Sequence, residues 1–367
     1  MVTAGLETTT YTDMAVLEAE HAAIFAKAWQ FVGLKRSLAN HNDWLTANLG
    51  GRSILVQNFD GALNGFRNVC SHRHARLKNE PTGNGLLRCP YHGWTYNHEG
   101  VPVGIPGNAE WFGLDRAARC ALALPPVAVE ICGELVFARL AAEGPSLIEF
   151  LGPYYDLLAQ VSSTLCVPFT EGAITWGCNW KIGIESAIEG YHLGMIHPET
   201  FRHFVRAVLP ASWNGEHSLG PSLLSDTARE SLERIEARLG LVRFEVSERY
   251  DHYLIFPNLC VTVTAGLTLS LQTYEPIGPD TTRLRYWLLT GASDKPALRD
   301  GVMGRAVLGA FGDFNDRVLV EDQRISEEVQ AGKAFAPLPP ARLGGNEDRI
   351  QVFHAAWRRA LVGSWPS

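Results

Sequence analysis

The segments Cys70-Ser71-His72 and Cys89-Pro90-Tyr91-His92, with sixteen residues between them, decide the fold of the first half of this chain. Each segment places one cysteine and one histidine on the same turn, so the two turns can converge on one metal centre. A Cys2His2 zinc site is one interpretation, although zinc sites usually keep the two cysteines together and the two histidines together. The mixed pairs are typical of a [2Fe–2S] cluster in which thiolates hold one iron and imidazoles the other. The spacing favours the cluster and leaves structural zinc as the alternative.

The residues around both turns resemble the Rieske non-heme iron oxygenases. The resemblance rests on Asn68-Val69-Cys70-Ser71-His72-Arg73 and on Cys89-Pro90-Tyr91-His92-Gly93-Trp94-Thr95-Tyr96. His74 departs from the family pattern, which commonly has glycine after His-Arg, and we interpret it as a surface side chain that fills a turn. The resemblance implies a Rieske [2Fe–2S] cluster with four ligands, Cys70, His72, Cys89 and His92.

A second pair of histidines lies in the C-terminal half of the chain. His192 and His197 are five residues apart. That spacing is about 140° around a regular helix, which is poor geometry for one metal. Pro198 disfavours helical geometry at residue 197, so the helix should loosen there and His197 can turn towards His192. Non-heme Fe(II) oxygenases use two histidines and one carboxylate, so a carboxylate is expected downstream. Spacing alone leaves six candidates, Asp313, Asp316, Glu321, Asp322, Glu327 and Glu328.

The family resemblance chooses among these carboxylates. Glu321-Asp322, followed by Val329-Gln330 and Gly332, is similar to the family's third-ligand segment, in which the aspartate binds iron. The resemblance therefore implies a mononuclear Fe(II), with O2 as co-substrate. The implied ligands are His192, His197 and Asp322.

Glu189 is the predicted link between the two metal sites. It precedes His192 by three residues, so both would project from one face of a helix, and its carboxylate would accept the imidazole N–H and fix the tautomer. The resemblance implies that this acid also contacts His92 of a neighbouring subunit and carries the electron across the boundary, which implies a homotrimer. Ser186 stands where the family often has asparagine.

The sequence from about Trp44 to Leu140 is typical of short strands and turns. Ile54–Phe59 and Ala62–Val69 are predicted to form a hairpin at Asp60-Gly61, because glycine tolerates the positive φ of a tight turn. Gly133–Leu140 is predicted as a further strand. We predict a small all-β Rieske domain over residues 40–142.

The remaining residues, 1–39 and 143–367, are predicted to form a larger catalytic domain. It would hold an antiparallel sheet flanked by helices, so the fold class of the chain is α+β. Its predicted elements are a helix from Asp13 through Lys27, a helix from Ser225 or Asp226 to Gly240, strands Leu259–Thr264, Leu267–Tyr274 and Arg283–Thr290, a turn Pro276-Ile277-Gly278-Pro279 that joins the last two strands, and a helix from about Leu298 to Gln330 that stops at Gly332.

Composition and charge exclude several classes of function. The 367 residues are 46% hydrophobic and 19% charged, which predicts a packed globular core. Acidic residues outnumber basic ones 39 to 32, and the net charge of −7 argues against nucleic-acid or anionic-membrane partners. No apolar run approaches the ~20 residues that span a bilayer, and the first residues show no secretory pattern. We therefore expect a soluble cytoplasmic protein.

The chain also lacks the sequence patterns of an electron source. No G-x-G-x-x-G follows a strand, and there is no C-x4-C-x2-C plant-type ferredoxin spacing. We expect a separate NAD(P)H-dependent reductase, with or without a ferredoxin, to supply electrons. A Rieske electron-transfer protein is the alternative outside enzymology, but it would need little beyond the β domain, and more than 200 residues follow that domain.

The predicted substrate is a small organic molecule, and aromatic or heteroaromatic hydroxylation is the commoner activity of the family that the sequence resembles. Oxidation of a quaternary or N-methyl amine with C–N cleavage is the alternative, since residue 189 is glutamate where the ring dioxygenases mostly have aspartate. An amine pocket would need an aromatic cage for the cation. The predicted pocket residues are Phe201, Phe204, Trp213, Tyr253, Phe256, Leu269, Leu271 and Trp287.

Overall fold

The computed structural model describes residues 2–335 and 338–363, which divide into two compact units. One unit runs from His21 to Phe150, and the other contains the residues up to Glu20 and those from Leu151 onward. Helices and strands are mixed, which confirms the predicted α+β class. The domain boundaries at residues 40 and 142 stay a prediction. No helix in the described part of the chain is long and apolar enough to cross a membrane.

The unit from His21 to Phe150 is built on an antiparallel sheet that has seven strands within the described residues. Phe59 pairs with Ala62 across Asp60-Gly61, whose φ angles are 54° and 94°. Two positive φ angles give the turn the twist that matches its strands, so the predicted hairpin is confirmed. The strands in spatial order are Gln30–Leu34, Leu135–Arg139, Pro126–Cys132, Ala62–Arg67, Arg52–Phe59, Asp43–Leu49 and Thr82–Asn84. Outside the sheet lie strands Thr95–Tyr96 and Pro102–Gly104, which pair with each other, and helical turns His21–Phe25, Lys35–Leu38, Asn108–Phe112 and Arg116–Cys120.

The strand Arg52–Phe59 separates two hydrophobic clusters of this unit. Ile54 and Val56 face one cluster, and Leu55 faces the other, because neighbouring side chains of a strand point to opposite faces. The second cluster also contains Trp94 and the two cysteines of the predicted metal turns. The second cluster therefore packs the sheet against those turns.

The larger unit is built on an eight-stranded antiparallel sheet, counted over the described residues. The strand Thr268–Gly278 is longer than predicted and passes through Pro276, and the turn that follows is Pro279-Asp280. The proline is tolerated because the neighbouring strand has ended at Leu259, opposite Thr273, and the ladder is irregular after Pro276. In spatial order the strands are Val167–Trp176, Thr281–Thr290, Thr268–Gly278, Leu259–Thr264, Arg249–Ile255 and His217–Leu224, the last of which pairs with both Val205–Val208 and Ser212–Asn214.

Two helix predictions for this unit need correction, and one is confirmed. The first helix ends at Glu20, where a wider helical turn replaces the α-helix predicted through Lys27. The long helix (Val302–Ala334) continues past Gly332, because Gly332 does not adopt the positive φ with which a glycine such as Gly240 ends a helix. The helix Asp226–Leu239 is capped as predicted by Ser225 and Gly240. The other helices of this unit are Thr8–Tyr11, Met14–Glu20, Tyr154–Thr164, Trp180–Ile188, Leu193–Ile196, Phe201–Phe204, Pro296–Arg299 and Asp348–Leu361, and strands Thr3–Ala4 and Arg342–Leu343 pair outside the sheet. The helix Leu147–Leu151 includes the last residues of the other unit.

A buried ion pair fixes the helix Trp180–Ile188. We call this helix the ligand helix, since the predicted iron histidines follow it in the sequence. Lys181 Nζ lies 2.5 Å from Glu20 Oε1, and both side chains are fully buried. The same carboxylate accepts the indole N–H of Trp180 at 2.8 Å and of Trp357 at 2.7 Å. Three helices that are distant in sequence are therefore joined at one carboxylate.

Candidate metal centres

The two predicted cluster turns have the same backbone construction. In each turn the cysteine N–H, of Cys70 or Cys89, donates to the carbonyl five residues later at 2.8 Å, and the residue four positions on donates back to the cysteine carbonyl. That fourth residue is His74 in one turn and Gly93 in the other, with φ of 59° and 75°. The left-handed conformation favours glycine, so His74 adopts it at a cost, and its side chain is exposed. This placement agrees with its interpretation as a surface side chain that fills a turn.

The side chains of these turns fit the ligands of a metal cluster. Cys70 and Cys89 are buried, and burial raises the pKa of the Cys89 thiol. The His72 ring stacks on Trp94 with centroids 4.8 Å apart, and the centroid of His92 lies 4.7 Å from that of His72. The Nδ1 atom of His72 is buried and has no hydrogen-bond partner among the described residues. A buried ring nitrogen without a partner, beside a second imidazole and two buried thiols, matches the mixed donor set of a Rieske cluster.

Tyr96 is a further residue of this site, and sequence reasoning gave it no role. Its hydroxyl lies 3.0 Å from Cys70 Sγ and accepts the backbone N–H of Ser71 at 3.1 Å. Burial, followed by the contact with Cys70, raises the pKa of Tyr96, so the hydroxyl stays protonated and can donate towards sulfur. Hydrogen bonds to cluster sulfurs tune the reduction potential of an iron–sulfur centre.

The predicted iron histidines lie at the two ends of one short helix, Leu193–Ile196. His197 has φ −114° and ψ 52°, outside the helical region, as expected for the residue before Pro198. The change of direction brings His197 Nε2 to 3.1 Å from His192 Nε2. The five-residue spacing that suits a regular helix poorly is therefore usable at this helix end.

The long helix supplies the carboxylate that meets both histidines. Asp322 Oδ1 lies 3.1 Å from His197 Nε2 and 3.6 Å from His192 Nε2, and the three ligand atoms all lie within 4.8 Å of one another. The side chains are 1% exposed for His197, 13% for Asp322 and 17% for His192. Ser186 Oγ adds a contact of 3.4 Å to the same oxygen. Two imidazole nitrogens and one carboxylate oxygen that converge on one point are the donor set of a non-heme iron site.

Two of the other candidate carboxylates on this helix have partners elsewhere. Asp316 accepts the hydroxyl of Tyr286 at 2.7 Å, and Glu327 accepts the backbone N–H of Gly177 at 2.9 Å. Glu328 is exposed. These carboxylates do not join the cluster of ligand atoms found in the described part of the chain.

Each histidine is held from behind by a different glutamate. Glu189 contacts His192 Nδ1, and Glu321 Oε2 lies 2.7 Å from His197 Nδ1 and accepts the hydroxyl of Thr200 at 2.7 Å. The contact of Glu189 was predicted, but its geometric reason was wrong. The ligand helix ends at Ile188, and Glu189 is extended, so a loop and not a shared helix face brings the carboxylate to the ring. Sequence reasoning treated Glu321 as a candidate ligand and missed its role behind His197.

A cavity of about 460 Å³ opens beside the three ligand atoms. Of the predicted pocket residues, Phe201 lines this cavity, and Phe204 and Leu269 line an adjoining cavity of about 440 Å³. Phe201 and Tyr250, whose ring centroids lie 5.3 Å apart, line both cavities.

The structure does not bring the other predicted pocket residues to either lining, as far as the described residues show. Tyr253 follows His252 and Leu271 precedes Gln272, and both of these neighbours line the metal cavity, so the side chains of Tyr253 and Leu271 face the other side of the sheet. Trp287 pairs with Leu271 across the ladder and shares its face.

Phe256 and Trp213 are also placed away from the cavity. Phe256 packs on Phe353 with centroids 5.9 Å apart, and Trp213 is 50% exposed on its short strand. Sequence reasoning selected apolar residues, whereas the face of the sheet towards the metal ligands is largely polar. The period-two alternation of the strands was the signal that could have found this wall. The cavity residues that sequence reasoning missed are Ser222, Tyr250, His252, Thr262, Gln272, Tyr274 and Arg349.

Comparison with known proteins gives matches over both halves of the chain. Residues 28–125 match the Rieske [2Fe-2S] domain, and residues 162–363 match the ring hydroxylating alpha subunit (catalytic domain). Among relatives, the glycine betaine monooxygenase oxygenase subunit of Chromohalobacter salexigens is 34% identical over 197 residues, which are 53% of this chain and 43% of that protein. The large oxygenase component of the naphthalene 1,2-dioxygenase system of Pseudomonas fluorescens is 26% identical over 360 residues, 88% of this chain and 79% of that protein.

The fold is also that of solved structures. The quaternary ammonium Rieske monooxygenase CntA in complex with L-carnitine superposes with a TM-score of 0.79 at 20% identity, and the match covers 97% of this chain and 96% of that one. Proteins of this kind carry a Rieske cluster and a mononuclear iron and use O2, and the predicted cofactors are confirmed at this level. Because the catalytic-domain match covers more than half of the chain, this protein belongs to the ring-hydroxylating alpha subunits, the catalytic subunits of Rieske non-heme iron oxygenases.

Proposed function

We propose that this chain is a terminal oxygenase that hydroxylates a small organic molecule at an iron held by His192, His197 and Asp322. The convergence of their three ligand atoms within 4.8 Å, on the wall of a cavity of about 460 Å³, carries the proposal. A ferrous ion in such a site supplies the activation of O2. The protein contributes the shaped cavity, the position of the substrate and the fixed orientation of the ligands.

The two glutamates behind the histidines define which ring nitrogen is free for the metal. Glu189 and Glu321 each accept a hydrogen bond from the Nδ1–H of their histidine, so the lone pair of each Nε2 points at the shared site. A carboxylate in this position also raises the basicity of the imidazole and strengthens it as a ligand. The buried Glu20–Lys181 pair holds the ligand helix near its first residue.

The proposed route of electrons begins at the cluster turns. Cys70 and Cys89 are buried, whereas His92 is exposed and can face another protein surface. The alpha subunits of this family work with separate reductase or ferredoxin components and form multimers. We place this chain in a homotrimer in which His92 of one subunit meets Glu189 of the next, so that Glu189 connects the cluster to the iron ligand His192.

An aromatic molecule is the first candidate substrate. Its support is the adjoining cavity of about 440 Å³, whose walls include six aromatic side chains and which shares Phe201 and Tyr250 with the metal cavity. A relative that matches 88% of the chain is named for naphthalene. A planar ring could extend from the metal ligands towards these aromatic walls. The aromatic side chains that line the second cavity are Phe169, Phe201, Phe204, Tyr250, Phe311 and Phe314.

An N-methylated or quaternary amine is the second candidate. Glu189 favours it, because glutamate at this position is typical of the amine-oxidising members that the sequence resembles. The relative with 34% identity is named for glycine betaine, which is a quaternary amine. Phe201, Tyr250 and Tyr274 line the metal cavity and offer aromatic faces to a cation.

A single-turnover screen with labelled oxygen tests the proposal. Iron-loaded protein is reduced with dithionite, freed of excess reductant, and mixed with 18O2 and one compound from a panel of aromatic molecules or a panel of N-methyl amines. We expect a labelled product, or formaldehyde after C–N cleavage, from one panel. Asp322→Ala should abolish this product, whereas Glu328→Ala, which removes an exposed carboxylate of the same helix, should keep it. Fully iron-loaded protein that oxidises no member of either panel would contradict the proposal.

A further inference from the structure

Arg349 is a buried cation on the wall of the cavity that contains the predicted iron ligands. It lies near the start of the helix Asp348–Leu361 and is 5% exposed. A Cβ atom at Gly220 would stand 2.4 Å from Nη1 of the guanidinium. Glycine on the neighbouring strand therefore makes room for this side chain, which indicates a built position.

The partners of this guanidinium are all neutral. Its Nε–H donates to Ser218 Oγ at 3.1 Å, and Nη1 donates to the carbonyl of Ile188 at 3.0 Å. Longer contacts of 3.4 and 3.5 Å reach the Ser218 carbonyl and Nδ1 of His252. The Asp348 carboxylate accepts the backbone N–H of Arg349 and forms no ion pair with its side chain, nor does any other carboxylate of the described residues.

The full positive charge consequently has no carboxylate in ion-pair contact within the described structure, and Asp348 acts on it only at longer range. Ile188 is the last residue of the ligand helix, and its carbonyl offers the partial negative charge of a helix C-terminus. That partial charge is smaller than one unit and does not neutralise a guanidinium. Burial lowers the pKa of Arg349 to about 10, so the group is still protonated at neutral pH. A buried charge without a partner is costly, and such groups normally have an ion or a charged ligand beside them.

Two neutral side chains of the cavity that contains Arg349 have N–H groups to donate. Burial, followed by the nearby guanidinium, lowers the pKa of His252 to about 3, so the ring is neutral. Its Nδ1 faces the N–H groups of Arg349 and accepts from them, which leaves the ring proton on Nε2. Gln272 accepts the Tyr274 hydroxyl at 3.2 Å with its amide oxygen, which leaves the amide N–H groups to donate. Both side chains line the same cavity as Arg349.

We propose that the substrate carries a carboxylate, which Arg349 binds with the help of His252 Nε2–H. A guanidinium with neutral donors beside it is the arrangement that recognises a carboxylate. The inference rests on the proposed function only in treating the bound acid as the substrate, because the binding site itself stands on the residues of the cavity wall. It adds a feature shared by both candidate classes: an aromatic acid or an N-methylated amino acid would each satisfy Arg349.

The test compares acids with their uncharged amides. Benzoate and benzamide represent the aromatic class, and N,N-dimethylglycine and its amide represent the amine class. Each is titrated calorimetrically into iron-loaded protein without O2 or reductant. We expect at least one acid to bind tenfold or more tightly than its amide. Arg349→Lys should reduce the affinity for that acid at least tenfold, because lysine lacks the planar fork. Arg358→Lys, an exposed position on the same helix, should leave it unchanged.

Two results would overturn the inference: equal affinity for acid and amide, or no binding of either acid. The comparison in the unaltered protein needs no variant, so poor folding of Arg349→Lys would not prevent a decision. The outcome is also separable from the proposed function, because binding is measured without turnover. An acid that binds but is never oxidised would leave the carboxylate site standing and count against the oxygenase proposal. A neutral compound that is oxidised while neither acid binds would support the oxygenase proposal and count against the carboxylate site.

Discussion

Single residues of the proposed iron site show how similar side chains take different roles according to the backbone that presents them. Glu321 and Asp322 are neighbours on the long helix, yet Asp322 reaches both Nε2 atoms while Glu321 reaches the back of His197. Adjacent residues of a helix point about 100° apart, so one can reach the metal side of a histidine and the other its far side. Glu189 has the matching role behind His192 from a loop.

Glu321→Gln tests the role of the carboxylate behind His197. We expect the affinity for Fe(II) to fall by about 10- to 100-fold, because an amide orients the imidazole less strongly and makes it a weaker ligand. Competition with a ferrous chelator measures the change. Glu328→Gln is the control, since Glu328 is exposed on the same helix. Equal affinity in the two variants would show that Glu321 does not support the iron site.

The turn residues of the cluster site give a second prediction at this scale. Gly93→Ala should lower the free energy of unfolding by about 1–2 kcal/mol, because Gly93 has a φ of 75° and a Cβ there would meet Arg88 at 3.0 Å. His74→Gly should not lower it, since His74 already occupies the left-handed conformation with an exposed side chain. Denaturant titration and the visible absorption of the cluster provide the measurements. Loss of the cluster in His74→Gly would mean that His74 is a ligand after all.

At the scale of elements, the ion pair of Glu20 and Lys181 determines how the ligand helix is held. Lys181→Met should cost about 3–5 kcal/mol of unfolding free energy, because it leaves a buried carboxylate without its cation. Glu20→Gln combined with Lys181→Met should recover much of that loss. The exposed pair of Arg229 and Glu233, 3.0 Å apart on one helix, is the control, and Arg229→Ala should leave the free energy of unfolding nearly unchanged. A similar small cost for Lys181→Met would refute the role given to the buried pair.

Helices and strands also show which features can be predicted from the sequence alone. The hairpin was predicted from Asp60-Gly61 and the helix start from Ser225, since turns and caps depend on a few adjacent residues. The strand that passes through Pro276 and the helix that passes through Gly332 were missed, because both depend on what lies beside the element and not on its own residues. A local preference for ending an element is overridden when the neighbouring structure accommodates its continuation.

The metal sites show the same difference between features that a local motif predicts and features that depend on the folded chain. The spacing of Cys70, His72, Cys89 and His92 is local, and it favoured a [2Fe–2S] cluster over the zinc alternative. The choice of Asp322 came from family resemblance, because six acidic residues of one helical segment cannot be ranked without knowing which side faces the histidines. The polar cavity wall with His252 and Arg349 was missed for a related reason: its residues come from strands and a helix that meet only in the folded chain.

At the scale of the whole molecule, the proposed trimer makes Glu189 the link between subunits. Glu189→Gln should leave both metal sites filled but uncouple oxidation of the cluster from product formation, because the amide does not bridge the two imidazoles as a carboxylate does. Rapid mixing of reduced protein with O2 and substrate, with cluster absorption and product followed together, checks this. Iron content of the variant is the control. Normal single-turnover rates, or a native mass of one chain, would contradict the inter-subunit path.

The most direct test of the central claim is the iron and acid-labile sulfide content of anaerobically purified protein, with EPR spectra after dithionite reduction. We predict about three irons and two sulfides per chain and a Rieske-type signal, from one cluster and one mononuclear iron. Asp322→Ala should lose one iron and keep the sulfide and the signal, whereas Glu328→Ala should lose neither. Zinc without sulfide, or an unchanged iron content in Asp322→Ala, would contradict the assignment of two metal sites.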